Sequence, residues 1–205
     1  MVPDYWQKAS RALARDDTTM AALVRRYRGM SLVSRGDAFG TLARSIVGQQ
    51  ISVKAADAVW SRFSGVVGAV SPDAVLAVGA GGLAGCGLSA RKIEYVVDLA
   101  AHFAEGRVDP ARWAAMEDEA VIGELTDVRG IGRWTAEMFL IFNLLRPDVF
   151  PLDDLGLQKA VSLHYCGGER PPRRALAELG ERWRPWRSVA TWYLWRSLDP
   201  LPVEY

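Results

Sequence analysis

Apolar residues in this chain recur every third or fourth position and almost never every second one. Residues 39–47, 52–63 and 92–103 place them at i, i+3, i+4 and i+7, the spacing that gathers side chains on one face of an α-helix. A strand needs alternation, and alternating runs of strand length are nearly absent. Residues 66–70 are β-branched, but glycine flanks them and the run is too short to build a sheet. Start signals stand where the periodic segments begin: Asp37 before Phe39, Ser52 before Val53, Ser89 before the 92–103 segment. A short side-chain oxygen there accepts a bond from an amide that the first turn leaves unpaired. Pro110 marks another first turn, because proline has no amide to orphan. The glycine-rich stretch 79–87 predicts a short helix–turn connector inside a globular unit, and 169–174 a second break. The tail, 198–205, carries Pro200 and Pro202 and should leave the helical body. No repeat and no low-complexity tract interrupts the pattern. The expectation is a compact all-α fold whose turns carry the chemistry.

At 205 residues the chain can bury a sizeable core as one domain or two small intimate ones. Its 50% hydrophobic and 24% charged residues are those of an ordinary soluble protein. No stretch reaches the apolar length of a membrane span. The start, Met1-Val2-Pro3-Asp4-Tyr5-Trp6, lacks the basic-then-apolar order of a secretory signal. A cytoplasmic protein is expected, nucleoid-associated in a prokaryote. Two cysteines, Cys86 and Cys166, are too few for a disulfide framework, a Cys₄ zinc site or an iron–sulfur cluster. The two histidines, His102 and His164, have no metal-ligand spacing and read as structural. Catalysis must then come from carboxylates, hydroxyls or backbone. The net charge of +1 excludes a blanket of basic surface, so any grip on nucleic acid must be local. Arginines outnumber lysines by 21 to 4, and the guanidinium fork suits phosphate, although a GC-rich coding bias gives the same skew.

The most informative stretch is Leu125-Thr-Asp-Val-Arg-Gly-Ile-Gly-Arg-Trp-Thr-Ala-Glu-Met-Phe139. A helix over about 117–125 runs into the turn 128–132, and a strongly apolar helix over 134–145 follows. Gly130 and Gly132 permit positive φ and close approach to the backbone. Amides of the turn and of the next helix's first residues then form an anion site with the helix dipole behind it. A phosphodiester fits such a site without any base being read. A plain αα-hairpin with a Gly-x-Gly turn would look the same at this level.

Val128-x-Gly-Ile-Gly-Arg-Trp-Thr135 resembles the helix–hairpin–helix of the HhH-GPD superfamily of DNA glycosylases, in which a Gly/Pro-rich loop and a catalytic aspartate follow. That sequel is present as Asp148-Val-Phe-Pro-Leu-Asp-Asp-Leu155. Ile46-Val-Gly-Gln-Gln-Ile-Ser-Val53 resembles the DNA-wedge segment of the alkylation-repair branch, the 3-methyladenine glycosylase II group. Trp183-Arg-Pro-Trp-Arg-Ser188 with Trp195 resembles that branch's C-terminal helix. Four motifs in order, across residues 39–195, make the resemblance specific.

The resemblance implies roles. It assigns catalysis to Asp154, leaving Asp153 as a helix cap or a surface charge. It implies a base pocket with Trp134, Met138 and Trp195, the last stacking on a flipped base. Met138 stands where some members place tyrosine. Trp134 stands where bifunctional relatives carry an attacking lysine, so a monofunctional enzyme is expected. Trp183, Trp186 and Trp192 read as packing residues. DNA contacts are implied for Gln49, Gln50, Ile51, Gly130, Ile131, Gly132, Arg133 and Thr135, with Gln50 entering the duplex where the base left. Some members use leucine there; glutamine can also bond the widowed base. The resemblance further implies a structural Na⁺ or K⁺ held by the carbonyls of Thr126, Val128 and Ile131, with no cofactor required.

The reading is one all-α HhH-GPD glycosylase unit of two closely packed helical lobes, a DNA cleft between them. One lobe is about 37–150, including the hairpin 117–145; the other is 1–36 with 151–205. The expected partner is double-stranded DNA containing damaged bases, met by a monomer away from any membrane. Excision of alkylated purines, of the 3-methyladenine and 7-methylguanine type, leaves an abasic site. A module that only grips the backbone would need neither the Pro-x-Asp-Asp segment nor the wedge. An enzyme for mismatched or oxidised bases would be expected to carry the cluster cysteines or the lysine.

Overall fold

A computed structural model describes residues 2–34 and 36–198; the expected departure of the tail lies mostly outside them. Among the described residues there are twelve α-helices and no strand. They are α1 (Trp6–Asp16), α2 (Thr18–Arg26), α3 (Ala38–Gly48), α4 (Val53–Val67), α5 (Pro72–Leu83), α6 (Ala90–Ala104), α7 (Pro110–Trp113), α8 (Asp118–Thr126), α9 (Arg133–Phe142), α10 (Leu155–Tyr165), α11 (Arg173–Glu181) and α12 (Arg187–Leu198). The start signals act as anticipated. Asp37, Ser52 and Ser89 accept bonds from the amides of Gly40, Ala55 and Lys92, and Pro110 opens α7.

Three local features have plain causes. The β-branched run at 66–70 is not extended: α4 continues to Val67 and Gly68 ends it at φ 77°. In the 79–87 stretch, α5 kinks at Gly79 (φ 62°), re-forms to Leu83 and passes into a short 3₁₀ turn at Ala84–Cys86. α9 stops at Phe142, three residues early. Pro147 biases Arg146 away from helical backbone, and Leu145 turns left-handed at φ 55°.

The chain divides into two compact units, residues 2–34 with 140–198, and residues 36–139. The first is built on α1, α2 and α9's end with α10 to α12. Trp6, Trp183, Met20, Leu157, Val161 and Leu194 fill its core, with Trp6 edge-on to Trp192 at 5.1 Å. Asp17 caps α2 and also accepts the Tyr165 hydroxyl at 2.9 Å and the Trp183 indole at 3.3 Å, so one half-buried carboxylate ties α2 to α10 and to the segment before α12. The second unit packs α3 to α9 around Phe39, Ile46, Phe63, Leu99, Trp113 and Leu125. Trp113 meets Phe139 edge-on at 5.3 Å and donates to Glu124 at 2.9 Å. Removing such a ring costs about 3–5 kcal/mol, a large share of a small domain's stability. Cys86 is buried and Cys166 half-buried, both as free thiols. Among the described residues no single helix is long and apolar enough to cross a membrane.

Candidate active site

The first unit concentrates its chemistry at the start of α10. Pro151 and Leu152 lead into Asp154, whose amide bonds back to Pro151 O at 3.0 Å and whose own backbone is extended. Asp154 is 9% exposed and is itself the N-cap: Oδ1 accepts the Leu157 amide at 2.6 Å. The same oxygen accepts the Trp195 indole N–H from α12 at 2.7 Å. Asp153 is not the cap. It is exposed and pairs with Arg173, the surface-charge alternative. The cap is therefore the residue that the resemblance singles out, and the positive end of an eleven-residue helix faces its carboxylate.

Trp195 is fixed in turn. Phe142 stacks on it with centroids 5.6 Å apart and planes 13° from parallel. Gly156 leaves room for the pair: a Cβ there would stand 3.1 Å from Asp154 Oδ1 and 3.2 Å from the indole. The loop before Asp154 is pinned from α12. Arg187 forks onto Asp148 at 2.8 and 3.1 Å, Ser188 Oγ accepts the Val149 amide at 2.9 Å, and the Ser188 amide reaches Pro147 O at 3.0 Å. Trp183 and Trp192 are core residues and Trp186 stacks on Tyr5, as packing roles require.

The second unit carries the hairpin, α8–turn–α9. Val128 and Ile131 are buried and anchor the turn, joined by a bond from Ile131 N to Val128 O at 3.1 Å. Gly130 takes φ 87° directly against the Tyr95 ring, where any Cβ would collide. Asp98 on α6 accepts the Arg129 amide at 2.9 Å and its guanidinium at 3.2 Å. Burial pushes the Asp98 carboxyl up, but the two Arg129 bonds and the neighbouring His102 and Arg129 charges together hold it below the ordinary range. Gly132 is exposed at the mouth of α9, and Trp134 is 41% exposed. Thr135 and Met138 face inward and are buried. Arg133 is already engaged: its fork lies on Glu119 at 2.9 and 2.5 Å and its Nε on Glu137 at 3.0 Å.

The turn between α3 and α4 belongs to the same unit. Gln49 is half-buried and donates to Gly130 O at 2.8 Å, so it serves the hairpin. Gln50 and Ile51 are exposed, and Gln50 has φ 59°.

Residues 43–185 match the family of HhH-GPD superfamily base excision DNA repair proteins. The chain belongs to that superfamily. Among HhH-GPD relatives, the solved structure of a DNA-3-methyladenine glycosidase from Bacillus halodurans superposes with a TM-score of 0.87 at 35% identity, covering 93% of this chain and 89% of that one. A Schizosaccharomyces pombe 3-methyladenine DNA glycosylase, solved in complex with abasic DNA, gives 0.77 at 30% identity, covering 97% and 99%. The Bacillus subtilis protein YfjP is 30% identical over 190 residues, 89% of this chain, and the chain spans 66% of YfjP.

Participants in this HhH-GPD chain that went unnamed by sequence reasoning include Phe142, Gly156, Tyr95 and Asp98. Gly156 carried a signal, since a glycine one turn-step after a candidate acid hints at close packing. The other three are ordinary residues whose roles depend on long-range partners. As for a cation, Thr126, Val128 and Ile131 offer only neutral backbone oxygens within one turn, a donor set suited to a hard monovalent ion. Among the described residues no cluster of three or more His, Cys, Asp or Glu side chains offers a stronger site.

Proposed function

We propose that this HhH-GPD protein is a monofunctional DNA glycosylase that removes alkylated purines, of the 3-methyladenine and 7-methylguanine type, from duplex DNA. The observation that carries the reading is the Asp154 carboxylate, buried and held by two N–H donors on one oxygen. The names of the relatives support the same substrate class.

Alkylation at N3 or N7 makes the base a cation and weakens its bond to C1′. No strong general acid is then needed. The C1′–N bond breaks with its electron pair going to the base, which leaves neutral. Positive charge develops on the sugar, and a fixed carboxylate beside it is worth more than one in water. Water then bonds C1′ through oxygen and gives up a proton, leaving an abasic site. Trp195 holds Asp154 in place and offers an aromatic surface to a cationic base. Trp134 stands where a lysine would be needed for Schiff-base chemistry, so strand cleavage is not expected. The hairpin amides of the Gly130–Gly132 turn would hold a DNA phosphate, and the carbonyls of Thr126, Val128 and Ile131 a Na⁺ or K⁺ that shapes the turn. The protein would act as a monomer.

The test is release of labelled bases from DNA treated with a methylating agent, with the products identified and borohydride present in a parallel sample. Methylated purines should be released, strands should break only after alkali, and no covalent adduct should form. Failure to release any methylated purine, or a trapped adduct, defeats the reading.

A further inference from the structure

Gln50 lies in left-handed backbone, where a side chain crowds its own main chain and glycine is the usual occupant. Such a conformation persists only where the surroundings over-determine it. The restraint comes from α6. Lys92 Nζ donates to Val47 O and to Gln49 O, both at 2.8 Å. Gln49 Nε2 donates to Gly130 O at 2.8 Å. Gly130 rests on Tyr95, and Asp98 takes the Arg129 amide. Lys92, Tyr95 and Asp98 are three residues apart, so one stripe of α6 holds both the α3–α4 turn and the hairpin turn. The charge fits its place. The carbonyl end of α3 is that helix's negative end, and an ammonium is favoured there. It also has a cost: burial holds the Lys92 ammonium below its ordinary range.

We propose that Lys92 is a positioning residue for base excision: with Gln49 it fixes the Gln50 turn to the hairpin, so the side chain that enters the duplex and the turn that grips its backbone move as one body. The proposal rests on the glycosylase reading above, with Gln50 as the intruding group. If the tether is cut, the turn must be ordered during flipping, and the free energy of that ordering is charged to the flipping step. A lesion that is already unpaired is spared this.

Lys92→Met keeps the stem and removes the donors; Lys92→Arg restores donors and charge. Lys92→Met should lower excision of methylated purines from paired duplex about tenfold, and from a lesion opposite a gap less than about twofold, because only the first must be opened. Lys92→Arg should recover most of the loss. In a Gln50→Ala background Lys92→Met should add little, since the two act through one contact. Hydrogen exchange on the free protein reads the tether without substrate: the amides of residues 49–51 should exchange faster in Lys92→Met, and those of α12 should not. Equal losses on both substrates, or full additivity with Gln50→Ala, would overturn the positioning role and leave Lys92 as a part of the fold. Unchanged exchange would overturn the tether itself. If the unsubstituted protein releases no methylated base from any substrate, the glycosylase reading fails and this role with it, while the exchange result still decides whether the tether exists.

Discussion

Two loops leave their helices by the same unusual route and then differ. Gln50 after α3 and Leu145 after α9 are the non-glycine residues with positive φ among those described, at 59° and 55°. Leu145 is half-buried, and its carbonyl accepts the Tyr5 hydroxyl at 2.6 Å. Around it Ser34 Oγ donates to Asn143 O at 3.0 Å, the Arg146 amide returns to Leu140 O at 2.9 Å, and Arg187 and Ser188 hold residues 147–149. That loop ends at Asp154, and it is fixed along its length. The α3–α4 turn is fixed only at its base, by Lys92 and Gln49, and its tip is exposed. The contrast is one of tolerance. On the proposed function, the Asp154 carboxylate must meet one sugar carbon and the Gln50 tip a second molecule, and a carboxylate so used loses its effect when displaced by about an ångström. A side chain whose partner is another molecule needs an anchored base and a free tip.

The sharpest way to break this comparison is at Asp154. Asparagine keeps the cap bond to Leu157 and the shape, and removes the charge. Asp154→Asn should lower base release at least about 100-fold, the scale on which a fixed electrostatic stabiliser acts. Its thermal midpoint and its binding to an abasic-site analogue should change little. Asp154→Ala also loses the cap, at about 1–2 kcal/mol, and should be visibly less stable. Asp153→Asn should be near normal, because its partner Arg173 is on the surface. A normal Asp154→Asn beside an inactive Asp153→Asn would move the chemistry to the neighbouring carboxylate.

At Gln50 activity and stability should separate. Gln50→Ala should lower excision from paired duplex about tenfold and spare a lesion opposite a mismatch, since opening is then already cheap. Gln50→Leu should retain much of the activity by filling the gap. Gln50→Gly relieves about 1 kcal/mol of left-handed strain and gives back a similar amount through a freer unfolded chain. It should therefore match the parent in thermal unfolding while behaving like Gln50→Ala in excision. A Gln50→Gly protein of unchanged stability and unchanged activity would show that the tip does not enter DNA.

What could be read from the sequence followed local physics. Asp37, Ser52, Ser89 and Pro110 mark helix starts because a cap is a contact within three residues. The hairpin glycines and the Pro-x-Asp-Asp segment could be placed for the same reason. The rest depends on partners distant in sequence. That Asp154 rather than Asp153 caps α10 is decided by which carboxylate turns inward toward Trp195, 41 residues away. Arg133 stands among the residues expected to meet DNA, and only the fold shows that Glu119 on α8 holds its fork. Lys92 sits unremarkably in the first turn of a helix, and only the fold brings it to the carbonyls of Val47 and Gln49. The early end of α9 was the one local signal misjudged, since Pro147 acts back through Arg146.

The smallest predicted effect tests the other loop. Tyr5→Phe removes one half-buried bond to Leu145 O and should cost about 1 kcal/mol in thermal unfolding. The loss should also depend on pH. Burial, helped by the Asp4 charge, pushes the Tyr5 hydroxyl up to about 12 from an ordinary 10. Between those values the folded chain keeps a proton that the unfolded chain has released, so stability falls as pH rises through this window. The Tyr5 contribution is whole below pH 10 and gone above about 12. Tyr5→Phe should therefore be less stable than the parent at neutral pH, and the parent should lose that advantage in alkali. Tyr165 and Tyr193 are raised by burial as well, so the variant keeps part of the alkaline slope. Parallel curves across that window would mean that the hydroxyl is not what holds Leu145. The loop before Asp154 would then depend on Ser34, Arg187 and Ser188 alone, and its contrast with the α3–α4 turn would narrow to the number of bonds at its base.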